Sequence, residues 1–351
     1  MPNPFNPIKI NNNWYDPAYF SGSAPTGIFK SNAFSSDVFY FLKEWYNQDD
    51  VISATTSGST GSPSTIELHK SIVFASALKT CSIFKLTGKS TALLCLPVNY
   101  IAGKLMMIRA IASGMNLLIQ EPDSNPLAKL DEDIDFAAMT PMQLKKSIET
   151  PENLKKTAVI LIGGAPLDNS THEMLNEFDT RIYQSYGMTE TASHIALRPL
   201  NHTEIIHPYA AIPGVTFSID HRNCLLIHAP HISDAPIVTN DIVDLVDDNH
   251  FYWKGRFDFV INTGGVKVFP EDIESKLKNL IPFPFYISRK PDKDLGEKLV
   301  IVIEKENSDA YDQLKKEVES TLDVFEKPRE IIKVEKIRFS ESGKVIRDHS
   351  L

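Results

Sequence analysis

Between Val51 and Gly187, short apolar runs alternate with stretches of helical pattern, and that alternation restricts the architecture more than any other feature of the chain. The runs are "VISAT", "TALLCLP", "MNLLIQ", "IDFAAMT", "TAVILIGG" and "RIYQSYG". Most are nearly continuously apolar, as expected of strands buried on both faces. Between them "HKSIVFASALKTCSIFKL", "GKLMMIRAIAS", "TPMQLKKSIE" and "NSTHEMLNEF" read as helices. In the third, Thr140 is placed to cap and Pro141 to occupy the first helical position. Such alternation predicts a parallel sheet covered by helices on both faces. An earlier helix is predicted from Ser36 in "SSDVFYFLKEWYN". Residues 1–34, rich in Asn, Pro and Gly, read as an irregular lead-in.

After Pro213 the pattern changes. "GVTFSIDHRNCLLIHAP" and "IVTNDIVDLVDDNHFYWKGR" alternate apolar and polar residues around turns, as antiparallel hairpins do. From Asp258 a hairpin "FVINTGGVKVFP", a helix from Glu271, two strands, a second helix and a last strand form a small unit. A chain of 351 residues also exceeds what one core usually serves, roughly 250–300 residues. The expected fold class is α/β. Residues 1–257 would form a large N-terminal α/β domain with a parallel sheet and a β-hairpin region. Residues 258–351 would form a small α+β C-terminal domain.

A formal charge of −9 argues against nucleic acid as a partner, which calls for a basic surface. Cys81, Cys95 and Cys224 lack metal-type spacing and read as buried small hydrophobes in a reducing compartment. The start carries no signal-like pattern, and no apolar run reaches the ~20 residues of a membrane span. A cytoplasmic protein without membrane insertion is expected. Its oligomeric state is not legible in the sequence.

"TTSGSTGSPST", Thr55 to Thr65, follows the first apolar run and cannot pack a core. It offers backbone N–H groups and hydroxyls able to wrap a phosphate, or else it is a linker. It lacks the lysine of a P-loop, and the triplet Gly88–Ser90 has Ile83 where the first glycine would stand. No Gly-x-Gly-x-x-Gly opens a helix either.

The loop resembles the phosphate-binding signature of the adenylate-forming superfamily of acyl-CoA synthetases, luciferases and peptide-synthetase adenylation domains. Further blocks match in order: "GGAPL", "YGMTET", "TNDIV", "GRFDFVINTGGVKVFPEDIE" and "SGKVIR". Together they run from Thr55 to Arg347. The resemblance implies that Thr56, Ser57, Gly58, Ser59, Thr60 and Gly61 cradle ATP phosphates, and that Gly163, Gly164 and Ala165 lie along the nucleotide. It implies Tyr186 on adenine with Gly187 also at the nucleotide, Thr189 on the α-phosphate, and Glu190 on Mg²⁺. Asp241 and Arg256 would bind the ribose, Asp258 would be a hinge for a mobile C-terminal domain, and Lys344 would be the catalytic cation. Gly264 and Gly265 would admit the pantetheine of coenzyme A, although an ordinary hairpin turn explains them equally.

Such enzymes make a carboxylate attack the α-phosphorus of ATP, and a thiol then displaces AMP from the acyl-adenylate. The first step brings two anions together, so a cation between them relieves repulsion in the transition state. Lys344 suits that task. "LPVNYIAGKLMMIRAIASGM" narrows the resemblance to the o-succinylbenzoate–CoA ligase family of menaquinone biosynthesis. That acid carries a second, unreacting carboxylate, which calls for a cation or strong donors in its pocket. Arg109 is the candidate, against the alternative that it lies on the wet face of its helix. Ser193, His194 and Tyr100 are further acid-pocket candidates. An adenylating ligase for another aromatic or fatty acid, and a non-catalytic nucleotide-binding homologue, remain open readings.

The sequence departs from the family pattern at several places. Ser64 stands where relatives carry Lys or Arg, with Lys70 or Mg²⁺ as possible compensation. Tyr100 replaces a histidine, Asn240 a glycine, and Asn262 a lysine or serine.

Overall fold

The computed structural model describes residues 3–55, 65–164, 167, 169–203, 205–339 and 345–347. In chain order the elements are β1 (Ile8–Ile10), β2 (Asn13–Tyr15), α1 (Ala33–Tyr46), β3 (Val51–Thr55), β4 (Thr65–His69) and α2 (Lys70–Phe84). There follow β5 (Thr91–Leu94), α3 (Ile101–Ser113), β6 (Asn116–Ile119), β7 (Ile134–Met139), α4 (Pro141–Ile148), α5 (Pro151–Leu154), β8 (Thr157–Ile162) and α6 (Asn169–Met174). Next come β9 (Arg181–Gly187), β10 (His194–Pro199), β11 (Tyr209–Ala211), β12 (Thr216–Ile219), β13 (Cys224–His228), β14 (Ile237–Asp247) and β15 (His250–Arg256). The last are β16 (Ile261–Thr263), β17 (Val266–Val268), α7 (Pro270–Leu277), β18 (Phe285–Asp292), β19 (Gly296–Glu304), α8 (Ser308–Thr321) and β20 (Glu330–Val334).

The chain forms two compact units. The first comprises Met1–Pro166, Met174–Val215 and Ala229–Asp234, and the second the remainder. In the first unit the strand order is β2-β1-β6-β5-β7-β8-β9-β10-β11. From β1 to β9 every pairing is parallel, and β2, β10 and β11 add antiparallel neighbours. The parallel runs are buried, as in Val159, Ile160, Leu161 and Ile162 of β8. They join one core with α1, α2 and α3 through Trp45, Ala77, Met106 and Ile108.

Three local expectations change. The lead-in is not wholly irregular, because Ile8 and Ile10 are fully buried and carry β1 into the sheet beside β6. Helix α1 begins earlier than Ser36: Asn32 caps it, its Oδ1 accepting from the Ser35 amide at 2.7 Å. "VISAT" is a strand but pairs antiparallel with β4 in a two-stranded ribbon instead of entering the parallel sheet. Its burial alternates along the strand, as a ribbon's does. Helix α4 follows expectation, with a capping box between Thr140 and Gln143 and Pro141 in its first turn.

In the second unit β12, β13, β14 and β15 form an antiparallel meander. A further sheet runs β17-β16-β19-β18, with β20 parallel to β19. Helices α7 and α8 bury Ile273, Leu277, Tyr311 and Val318 in its core. All three cysteines are free and buried, as expected. No helix among the described residues is long and apolar enough to cross a membrane.

Candidate active site

In a parallel sheet the loops after the strands' carboxyl ends are where ligands bind, above all where the strand order reverses. That reversal falls around β5, since β6 lies on one side of it and β7 on the other. Most first-unit candidates follow β5, β8 or β9. Tyr100 caps α3 and forms a bridge with Thr55, the last described residue before the glycine-rich connection. Thr55 and Thr65 face each other across the β3–β4 ribbon, so the two roots of that connection are adjacent. Residues Thr56, Ser57, Gly58, Ser59, Thr60 and Gly61 lie outside the described residues, as do Ser64, Ala165 and Lys344. Lys70 does not look like compensation for Ser64: its ammonium is buried and donates to the Asn47 carbonyl at 3.1 Å and Oδ1 at 2.7 Å.

Gly163 and Gly164 follow directly on β8, whose last residue Ile162 pairs with Gln184 of β9, and a Cβ on Gly163 would sit 3.2 Å from the Ser185 Oγ. Gly164 has φ +94°, a conformation that a side chain would strain. Tyr186 is half-buried and leans on Tyr209, ring centroids 5.7 Å apart at 55°. Tyr209 in turn lies under the Arg198 guanidinium at 4.7 Å, so the aromatic pair is braced from behind. At Gly187 the chain passes so close to β10 that a Cβ would sit 2.3 Å from the Ser193 carbonyl oxygen. Thr189 and Glu190 follow on a single 3-10 turn closed by Thr191, whose Oγ1 accepts from the Met188 amide at 3.0 Å. The Thr191 hydroxyl is also 2.6 Å from the Ser193 carbonyl oxygen. Thr189 is half-buried and Glu190 exposed, a hydroxyl and a carboxylate side by side at a strand end.

The same turn delivers Ser193 and His194 to the interior. His194 is buried, with Nδ1 3.3 Å from the Ser193 Oγ. Burial, and secondarily the Arg109 charge, push its pKa down to about 3, so the ring is neutral at pH 7. Arg109 itself is 2% exposed, which overturns the wet-face alternative. Its Nη1 meets only the Met106 sulfur, at 3.4 Å, and its Nε has no hydrogen-bond partner among the described residues. The guanidinium lies 5.7 Å from the Phe136 ring centroid, and Phe84 packs on both Phe136 and Tyr183. Cys81 donates its thiol to the Arg109 carbonyl at 3.6 Å. Burial lowers the Arg109 pKa to about 10 and leaves it charged near neutrality. With no carboxylate partner among the described residues, burying such a cation costs several kcal/mol.

In the second unit Asp241, Arg256 and Asp258 come together. Asp241 is buried, faces Arg256 across the β14–β15 register, and accepts from the Trp253 indole at 3.1 Å. Arg256 pairs with Asp258 at 2.8 Å. Asn240, where relatives carry glycine, donates to the same Asp258 at 3.2 Å, so the departure adds a bond at the predicted hinge. Gly264 and Gly265 form the β16–β17 turn with φ +59° and +83°, a demand that already accounts for both glycines. Sequence reasoning missed Trp253, Tyr209 and the Phe84–Phe136–Tyr183 cluster, because aromatic residues in strands and helices read first as core.

A match to the model of the AMP-binding enzyme family covers residues 31–220. The chain belongs to this family. A 2-succinylbenzoate–CoA ligase from Listeria monocytogenes is 27% identical over 321 residues, covering 84% of this chain and 68% of that protein. Among solved structures, an acyl-CoA synthetase (AMP-forming)/AMP-acid ligase II-like protein from Dyadobacter fermentans is 34% identical, with a TM-score of 0.61 and coverage of 93% and 94%. The o-succinylbenzoate coenzyme A synthetase of Bacillus subtilis, solved with ATP and magnesium ion, gives a TM-score of 0.71 at 18% identity, covering 87% of this chain and 74% of that one. The α/β fold expected from the strand–helix alternation is the fold these AMP-binding enzymes share.

Proposed function

We propose that this AMP-binding enzyme is an ATP-dependent acid–CoA ligase that converts 2-succinylbenzoate to 2-succinylbenzoyl-CoA for menaquinone biosynthesis. Small molecules are its partners: ATP, coenzyme A and an aromatic dicarboxylic acid. The observation that carries the acid's identity is Arg109, a buried guanidinium with no carboxylate partner among the described residues, beside neutral His194 and the Phe136 ring. An aromatic acid with a second carboxylate supplies both the missing counter-charge and a ring to pack. A fatty acid would leave the cation uncompensated.

In the reading proposed, Tyr186 takes the adenine, Thr189 donates to the α-phosphate, and Asp241 and Arg256 hold the ribose hydroxyls. Glycines 163 and 164 let backbone approach the nucleotide. No group of three His, Cys, Asp or Glu among the described residues could cage a metal. Glu190, a single exposed carboxylate beside Thr189, fits Mg²⁺, which is commonly held by one or two carboxylates together with substrate phosphates. Magnesium, when bound, neutralises phosphate charge. A carboxylate oxygen of the acid then bonds to the α-phosphorus as the bond to pyrophosphate breaks, with Lys344 offsetting the charge that builds up. In the second half-reaction the coenzyme A sulfur bonds to the acyl carbon and AMP leaves. Residues 1–257 are assigned to nucleotide and acid binding, and residues 258–351, with Asp258 as pivot and Gly264 and Gly265 near pantetheine, to the part that carries Lys344.

Exchange of labelled pyrophosphate into ATP across a panel of acids tests the activity. Exchange with 2-succinylbenzoate well above benzoate and fatty acids is expected; exchange with none identifies a non-catalytic homologue. Lys344→Ala should lower adenylation by about 100-fold or more while thioester formation from supplied acyl-adenylate persists. Equal loss in both halves would remove Lys344 from its role.

A further inference from the structure

Three neighbouring strands, β9, β10 and β11, place one connected set of side chains around Tyr186. In the β9–β10 register Gln184 stands opposite Arg198, and Tyr186 opposite Ala196. Ala196 in turn faces Ala211 of β11 and Leu197 faces Ala210, so Tyr209 comes level with Arg198. Residues two apart on a strand share a face. Gln184, Arg198 and Tyr209 therefore form one row, and Tyr186, Ala196 and Ala211 the next. The contacts follow the rows. Gln184 is buried, and its Oε1 accepts from Arg198 Nε at 3.0 Å and from Nη2 at 2.5 Å. The guanidinium so fixed lies 4.7 Å from the Tyr209 ring centroid. Tyr209 is itself buried and meets the Tyr186 ring at 5.7 Å. The two alanines in the row of Tyr186 leave the space that this approach needs.

We propose that Arg198 is a positioning residue for the nucleotide site: pinned by Gln184, it holds Tyr209, and Tyr209 sets the plane of the Tyr186 ring. The inference rests on the adenine-binding role proposed for Tyr186. A ring that turns about its χ angles must be ordered when a base stacks on it, and that ordering weakens association. A ring held in advance avoids the loss. Arginine suits the task, because its guanidinium is planar, stacks on an aromatic face and donates from a rigid fork. A lysine supplies the charge but neither the plane nor the paired donors. Gln184 and Tyr209 are buried while Tyr186 is half-buried, so the braced ring is the member that keeps accessible surface for a ligand.

The test measures pyrophosphate exchange in full-length wild type, Arg198→Met, Arg198→Lys, Tyr209→Leu, Tyr186→Ala and the double variant of Arg198→Met with Tyr186→Ala. Arg198→Met and Tyr209→Leu should raise the KM for ATP by about 3–10-fold, the loss expected when one side chain must be ordered on binding. Pyrophosphate and the acid carry no base, so their KM values should stay within about twofold of wild type, as should kcat. Arg198→Lys should resemble Arg198→Met. The double variant should lose no more than Tyr186→Ala alone, because Arg198 acts through that ring. Equal rises in all three KM values, or a lower kcat with the KM for ATP unchanged, would mean a role in the fold alone. Full rescue by lysine would mean that charge suffices, and losses that add in the double variant would mean that Arg198 acts elsewhere. Each of these overturns the proposal. A wild-type KM for ATP in Tyr186→Ala takes the base off that ring and overturns it too, while exchange by the wild type spares the ligase reading. If the wild type exchanges with no acid, the ligase reading falls. Calorimetric titration with ATP and Mg²⁺ then ranks the same variants by dissociation constant; the same order supports the brace and any other result overturns it.

Discussion

Replacing Arg109 by methionine should make the protein more stable and worse at its proposed task. The side chain is 2% exposed and has no anionic partner among the described residues. Burial holds its pKa at about 10 against an ordinary 12.5. At 1.4 kcal/mol for each tenfold change in the proton equilibrium, that difference corresponds to roughly 3 kcal/mol charged against the folded state. The sign is unambiguous. Below pH 10 both folded and unfolded chains carry the proton, so the penalty is fully present at pH 7 and fades only as pH rises from 10 towards 12.5. Methionine keeps most of the volume beside Met106 and Phe136 and removes the charge. The melting temperature of the unliganded first unit at pH 7 should rise by roughly 6–12 °C, taking 2–4 °C per kcal/mol for a unit of this size. Ligand offsets most of that difference. At a hundredfold excess over its dissociation constant, 2-succinylbenzoate should stabilise the wild type by about 2.7 kcal/mol. The variant should lose most of that shift, while a monocarboxylate analogue should affect both proteins alike. Calorimetry with and without each acid reads all four quantities. A variant that is less stable than wild type and still prefers the dicarboxylate would refute the argument at both ends.

Two other substitutions probe the site's construction. Gly187→Ala places a Cβ within 2.3 Å of the Ser193 carbonyl oxygen, so β9 and β10 must part. A loss of about 1–3 kcal/mol in urea unfolding is expected, together with weaker ATP binding because Tyr186 and Thr189 flank the glycine; unchanged values in both would show that the backbone yields there. Glu271→Gln tests a pH dependence. Burial is the main cause that raises the Glu271 carboxyl from 4.5 to about 7. The folded state therefore holds its proton longer than the unfolded one, and stability is lost as pH rises from 4.5 through 7. Amide exchange in β19 should find the glutamine variant more stable by roughly 3 kcal/mol at pH 8 and little changed at pH 4.5. Equal effects at both pH values would assign the group an ordinary carboxylate.

Periodicity made the parallel sheet legible because its strands are buried on both faces and read as unbroken apolar runs. The same argument failed for β3. "VISAT" has the composition of a core strand, but its place in a ribbon depends on a partner, β4, whose "TIELH" is too polar to suggest a strand. It failed again for β1, where three residues are too few for any period and only the burial of Ile8 and Ile10 betrays the strand. Glycine roles divide in the same way. The positive φ of Gly264 and Gly265 follows from a hairpin visible in the sequence, whereas the close approach at Gly187 depends on where β10 returns.

The acid pocket marks where sequence reasoning stops and why. Arg109 within "LMMIRAIA" could have faced water or core, and composition gives both outcomes the same pattern. What decides it is depth, set by α3 packing on β5, and depth changes the chemistry of its neighbours as well. Burial first, and the Arg109 charge second, lower the pKa of His194, so the histidine becomes a neutral hydrogen-bonding group instead of a second cation. One charge plus one neutral ring suits a single distal carboxylate; two charges would suit a more highly charged ligand. The specificity proposed here thus resides in the burial that Arg109 and His194, residues eighty-five positions apart, share: it keeps one charged and the other neutral.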